Sequence, residues 1–162
     1  MKCLLAPIAV VAALAIAGCG SSSTLSSDQF TGLQNQGKQF ASSMQTVGAD
    51  ASSCAASAGK TSTGAPDLAV VKTCLASALG KAQAGLGKIS AYTDNLAGEV
   101  DGNCSTELKS LSAAMNDVKA IFAKAQAQAL SGDLVEMQAT LKTINSAGIT
   151  TAGTAAEKAC KS

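Results

Sequence analysis

The side chains in this chain best suited to chemistry are its six cysteines. Cys54, Cys74, Cys104 and Cys160 are spread through the body of the sequence, and Cys3 and Cys19 stand near its start. A thiol can ligate a metal, cycle between redox states or close a structural bridge. The four later cysteines contain no C-x-x-C pair, which speaks against a zinc or dithiol redox centre. Histidine and arginine are both missing from the sequence. The first is the commonest general base and metal ligand, and the second is the usual partner of phosphate and carboxylate groups. Twelve basic residues face eleven acidic ones, for a formal charge of +1. So balanced a chain lacks the positive field that nucleic acid attracts, and no nucleic-acid partner is expected.

The remaining polar patterns are weak. Glu99, Asp101, Asn103, Ser105 and Glu107 set oxygen-bearing side chains at alternate positions, the donor type a calcium ion takes. The glycine is misplaced for a calcium loop and the stretch runs into a helix, where acid and Asn serve as caps, so no metal is expected. Asn103-Cys104-Ser105 matches a glycosylation sequon of little weight here. Serines occur without histidine, and Ser110 beside Lys109 is a chance neighbour, so neither an enzyme nor a cofactor is expected. Ala78, Gly85 and Tyr92 recur every seven residues. That line is read first as close helix contact, and second as a candidate groove for an acyl chain or a partner helix. Met44, Met115 and Met137 fit apolar stripes as gap fillers.

Alanine richness, two prolines and apolar spacings of three and four predict an all-helical chain. The first segment, 28–57, carries Phe30, Leu33, Gly37, Phe40, Met44, Val47, Ala51 and Cys54 on one stripe, with Ser26 or Ser27 to cap it. Gly59, Gly64 and Pro66 mark a turn, and Pro66 suits the first position of the next helix. Leu68, Val71, Leu75, Leu79, Ala82, Leu86, Ile89, Thr93, Leu96 and Val100 make its stripe. A third helix, capped by Asn103 or Ser105, carries Leu108, Leu111, Met115, Val118, Phe122, Ala125 and Ala129. Asp133 and Glu136 form a capping-box pattern for a fourth, with Leu134, Met137, Leu141 and Ile144. Glycines and hydroxyl residues then predict a break or fraying over 145–156, with order restored near Cys160. Short connections imply an antiparallel up-down-up-down four-helix bundle.

The start of the chain adds a location. Lys2 is followed by a run of about 14 mostly apolar residues, 4–17, too short for the roughly 20 of a spanning helix. It ends in Ile16-Ala17-Gly18-Cys19, then Gly20-Ser21-Ser22-Ser23. This arrangement resembles the lipobox of bacterial lipoprotein precursors. The resemblance covers only this leader, and it implies cleavage after Gly18 and acylation of Cys19. Two or three acyl chains would anchor the product stably. The expected organisation is a signal peptide, 1–18, a lipidated cysteine and flexible tether, 19–27, and a helical domain, 28–162. The eight residues 20–27 span about 28 Å at most. The implied location is the bacterial cell envelope, on the outer face of the cell membrane or on the outer membrane.

In an extracytoplasmic compartment an even set of four cysteines defaults to disulfides. Bundle topology selects among the three pairings. Cys54 ends the first helix and Cys74 begins the second, at one end of the bundle; Cys104 begins the third and Cys160 ends the fourth, at the other. A bridge needs Cα atoms within about 7 Å, so the expected pairs are Cys54–Cys74 and Cys104–Cys160. The functional expectation is a non-catalytic, membrane-tethered protein whose partners are the bilayer, through Cys19, and an envelope protein. The alternative is a small-ligand or lipid-binding module, which calls for a cavity of about 300 Å³ or more between the helices.

Overall fold

A computed structural model describes residues 24–59, 64, 67–144 and 146–161. Five helices follow in order: α1 (Ser27–Ser57), α2 (Leu68–Glu99), α3 (Gly102–Ser131), α4 (Leu134–Lys142) and α5 (Ser146–Cys160). Cys19, the expected signal peptide, most of the expected tether and Pro66 lie outside the described residues. The chain is an all-α antiparallel bundle whose fourth arm is divided into α4 and α5.

Local chemistry accounts for most boundaries. Ser26 opens α1 through a reciprocal capping box: its hydroxyl accepts from the Gln29 backbone N–H at 3.2 Å, and the Gln29 side-chain oxygen Oε1 accepts from the Ser26 N–H at 2.8 Å. Asp67 caps α2, its carboxylate accepting from the Ala69 N–H at 2.9 Å. Gly132, at φ +90°, ends α3 and donates to the Gln128 and Ala129 carbonyls, both at 3.1 Å. A side chain would strain this left-handed residue, so glycine is needed there. Asp133 then caps α4 by accepting from the Glu136 N–H at 3.4 Å.

Two expectations about the elements are corrected. Neither Asn103 nor Ser105 caps α3; Asp101 holds that position and the helix starts at Gly102. Gly102 sits at φ +63°, which lets the chain turn into the helix earlier than the side-chain pattern suggests. Ser105 is instead buried, and its hydroxyl donates to the Ala97 carbonyl at 2.6 Å, clamping the end of α2 to the start of α3. The fourth arm is interrupted between α4 and α5, but it does not fray from Ser146 onward. Thr143 folds back to donate its N–H to the Thr140 carbonyl at 3.0 Å, and a regular helix resumes at Ser146. Packing of α5 on α3 and the bridge at Cys160 outweigh the poor helix propensity of Gly148 and Gly153.

The α2–α3 pair is the spine. Leu86 and Leu108 are buried to 1% and 0% exposure, with Ala82, Ala125 and Ala129 filling narrow places around them. Polar fasteners cross the same seam. Ser90 and Ser112 share a buried hydroxyl–hydroxyl bond of 2.9 Å. The Gln83 amide donates to Gln126 at 2.6 Å, and Gln126 donates to the Ala76 carbonyl at 2.9 Å. Helix α1 flanks α2, and α4 and α5 flank α3. Among the described residues no Cα of α1 comes within 8 Å of α5, so the fourth side of the bundle is open.

Candidate functional site

The predicted cysteine pairs are both formed. Cys54–Cys74 joins α1 to α2 with Cα atoms 5.6 Å apart, and Cys104–Cys160 joins α3 to α5 with Cα atoms 4.6 Å apart. They sit at opposite ends, as the topology requires. Cys54, Cys104 and Cys160 are buried to 1%, 1% and 2% exposure. The bridges therefore brace the ends of the bundle and present no thiol to solvent.

Ala78, Gly85 and Tyr92 do not line a groove. Ala78 is buried in the core. Gly85 lies under the Phe40 ring, where an added Cβ would come within 3.2 Å of the ring edge. Tyr92 covers Gly32 of α1, and its hydroxyl donates to the Gln29 carbonyl at 3.5 Å. Gly85 and Tyr92 thus belong to the α1–α2 seam, which is closed by close contact. Gly80, on the adjoining line, is covered by the Gln126 amide.

The oxygen-rich stretch is dispersed as well. Glu99 accepts a 2.6 Å hydrogen bond from the Gln29 side chain, Asp101 is exposed at the N-cap position of α3 without a side-chain capping bond, Asn103 is exposed and Ser105 bonds to backbone. Among the described residues no three of His, Cys, Asp or Glu converge in a way that could hold a metal.

A groove occurs where the sequence does not mark one, along the open side between α1 and α5. Its volume is about 180 Å³. Phe30, Leu33 and Phe40 of α1 form one wall, Ile149 and Gly153 of α5 form the other, and Leu86, Leu108 and Met115 form the floor. Gly37 and Gly153 lie on opposite walls, and a Cβ added at either would meet nothing within 4 Å. Leu25, just ahead of α1, closes the N-terminal end. The polar lining is Thr150, Thr154 and Glu157, and Glu157 pairs with Lys161 at 2.7 Å. No periodicity within one helix reports this feature, because it is the space between two helices whose Cα atoms stay more than 8 Å apart. Gly37 was assigned to a core stripe, and the stripe does face inward, but into a gap.

Comparison with protein-family models, curated proteins and solved structures returns no match to this chain.

The groove is well below the roughly 300 Å³ of a drug-sized ligand site. An apolar cavity of about 150 Å³ accepts a benzene-sized guest, so the groove suits a slender apolar group. At about 180 Å³ this groove alone does not reach the size of a free small-molecule site.

Proposed function

We propose that the protein is a non-catalytic lipoprotein of the bacterial cell envelope, held to a membrane by lipid on Cys19 and acting by contact with an envelope protein or as part of envelope structure. The observation that carries this reading is the charged start, short apolar run and Ile16-Ala17-Gly18-Cys19 sequence. Two features of the folded part agree with it. The buried bridges suit an oxidising compartment outside the cytoplasm. No described helix is long and apolar enough to cross a membrane, so anchoring falls to the leader region.

The fold orients the molecule under this reading. The start of α1, the end of α2, the start of α3 and the end of α5 share the end nearest Cys19. The 31 residues of α1 carry the chain about 46 Å to the opposite end. There Lys72 of α2 reaches the Ser131 carbonyl at 3.4 Å. Among the described residues the exposed large apolar side chains, Leu68, Val70, Leu130 and Val135, lie toward that end, away from the start of α1. They are the surface we assign to a protein partner.

The test is membrane fractionation with intact-mass measurement of Cys19. The full-length protein should partition with membranes and carry the mass of a diacylglyceryl group, with or without a third acyl chain. Cys19→Ser should be released into the soluble fraction with its helical content unchanged. A mature chain that keeps residues 1–18, or an unmodified Cys19, sinks the proposal.

A further inference from the structure

We propose that the groove between α1 and α5 receives one acyl chain of the lipid on Cys19 of the same molecule. This rests on the lipidation reading above and adds where one of the chains goes. Three observations lead to it.

The first is reach. Leu25 lines the groove, and Cys19 lies six residues before it. Six residues extend over about 20 Å at most, so the attachment point is always near the groove's N-terminal end. The second is shape. On α1 the lining runs from Phe30 to Phe40, about 15 Å along the helix, with Leu25 just ahead of it, yet the volume is only about 180 Å³. A long, narrow space suits a polymethylene chain, and by comparison with a benzene-sized cavity it holds about six to eight carbons. Gly37 and Gly153, facing each other's side with open space over each Cα, keep it clear. The third is charge. Among the described lining residues Glu157 is the one ionisable group, and no lysine lines the groove. Glu157 is already paired with Lys161 at 2.7 Å, and the rest of the lining is apolar or hydroxyl, so the groove offers no uncommitted charge to the carboxylate of a free fatty acid. The chains on an acylated cysteine are thioether- and ester-linked, carry no charge, and need no headgroup site.

The experiment uses the full-length chain, made in lipidating cells supplied with a diazirine-bearing palmitate and reconstituted in phosphatidylglycerol–phosphatidylcholine vesicles. Intact mass first establishes acylation of Cys19. On irradiation, cross-links from that lipid should fall on the tryptic peptides spanning 110–119 and 143–158, which contain Met115 and Ile149. The double variant Gly37→Leu/Gly153→Leu fills the space and should lower those cross-links at least tenfold without changing the mass of the Cys19 lipid. Should that variant not fold, free photoreactive palmitate added to the acylated wild type gives a second measurement: it should be excluded from both peptides. Cross-links confined to vesicle lipid on a protein of confirmed acylation overturn this proposal and leave the anchor intact. Equal labelling by free palmitate overturns it too. An unmodified Cys19 overturns both readings at once, and the mass measurement tells that case apart.

Discussion

The seam between α1 and α2 and the gap between α1 and α5 use glycine for opposite purposes. At the seam, Gly32 lies beneath Tyr92 and Gly85 beneath Phe40, so the missing side chain is what lets aromatic rings approach the backbone. Across the gap, Gly37 and Gly153 have no neighbour over the Cα, so the missing side chain leaves empty space. Both pairs sit in helices where alanine would be favoured by about 1 kcal/mol. The comparison teaches that a helical glycine reports a constraint without reporting which kind. Whether the space is occupied depends on a partner helix that local sequence does not identify.

Breaking the ties that hold the two sides should give the largest effects. Cys104→Ser with Cys160→Ser releases a 56-residue loop and should lower stability by about 4 kcal/mol, with α5 losing amide protection first. Cys54→Ser with Cys74→Ser releases a 20-residue loop on the closed side and should cost about 3 kcal/mol. Denaturant unfolding and hydrogen exchange read both. The reverse order would mean that the open side does not depend on its bridge.

The glycine contrast is tested one step lower in magnitude. Gly32→Ala drives a methyl group into the Tyr92 ring, and overpacking of about 1–3 kcal/mol should outweigh the helix-propensity gain. Gly153→Ala meets nothing and should stabilise by about 0.5–1 kcal/mol. Opposite signs in thermal melting would bear out the difference between the two sides; equal signs would dissolve it. Within the spine, Ser90→Ala alone leaves the buried Ser112 hydroxyl with only the long 3.5 Å bond to the Ser90 carbonyl and should cost about 1 kcal/mol, whereas Ser90→Ala with Ser112→Ala should cost less than the sum of the singles. The smallest effect belongs to Lys81→Met. The Lys81–Asp50 pair measures 2.7 Å, but its side chains are 60% and 38% exposed, and solvent screening holds its worth below about 1 kcal/mol.

Much of the fold was legible because it rests on periodicity and on ends. Every stripe residue read for the third helix, from Leu108 to Ala129, is buried. Leu68, placed first on the α2 stripe, is instead 52% exposed, because the stripe begins before a facing helix is there to cover it. The hydroxyls at Ser90 and Ser112 gave no signal, since a serine between apolar positions reads the same whether it faces water or a partner across a seam, and Ser105 signalled a cap where it makes a buried clamp. The candidate groove was sought at Ala78, Gly85 and Tyr92, where small residues recur, and was found between α1 and α5.

What the residues determine alone is the helical class, the caps at Ser26 and Asp133, and the disulfide pairing, whereas Asp67 caps α2 where Pro66 was expected to open it. These follow from interactions within a few residues, or from the parity of an up-down chain, which sets the end of the bundle each cysteine must occupy. Tertiary structure alone decided that α1 and α5 stand apart, that Gly37 faces a void and Gly85 a ring, and that α5 stays helical despite its glycines. The physical reason is that packing free energy depends on distances between elements remote in sequence, and periodicity within one helix records which face turns inward but not how far away the opposing face lies.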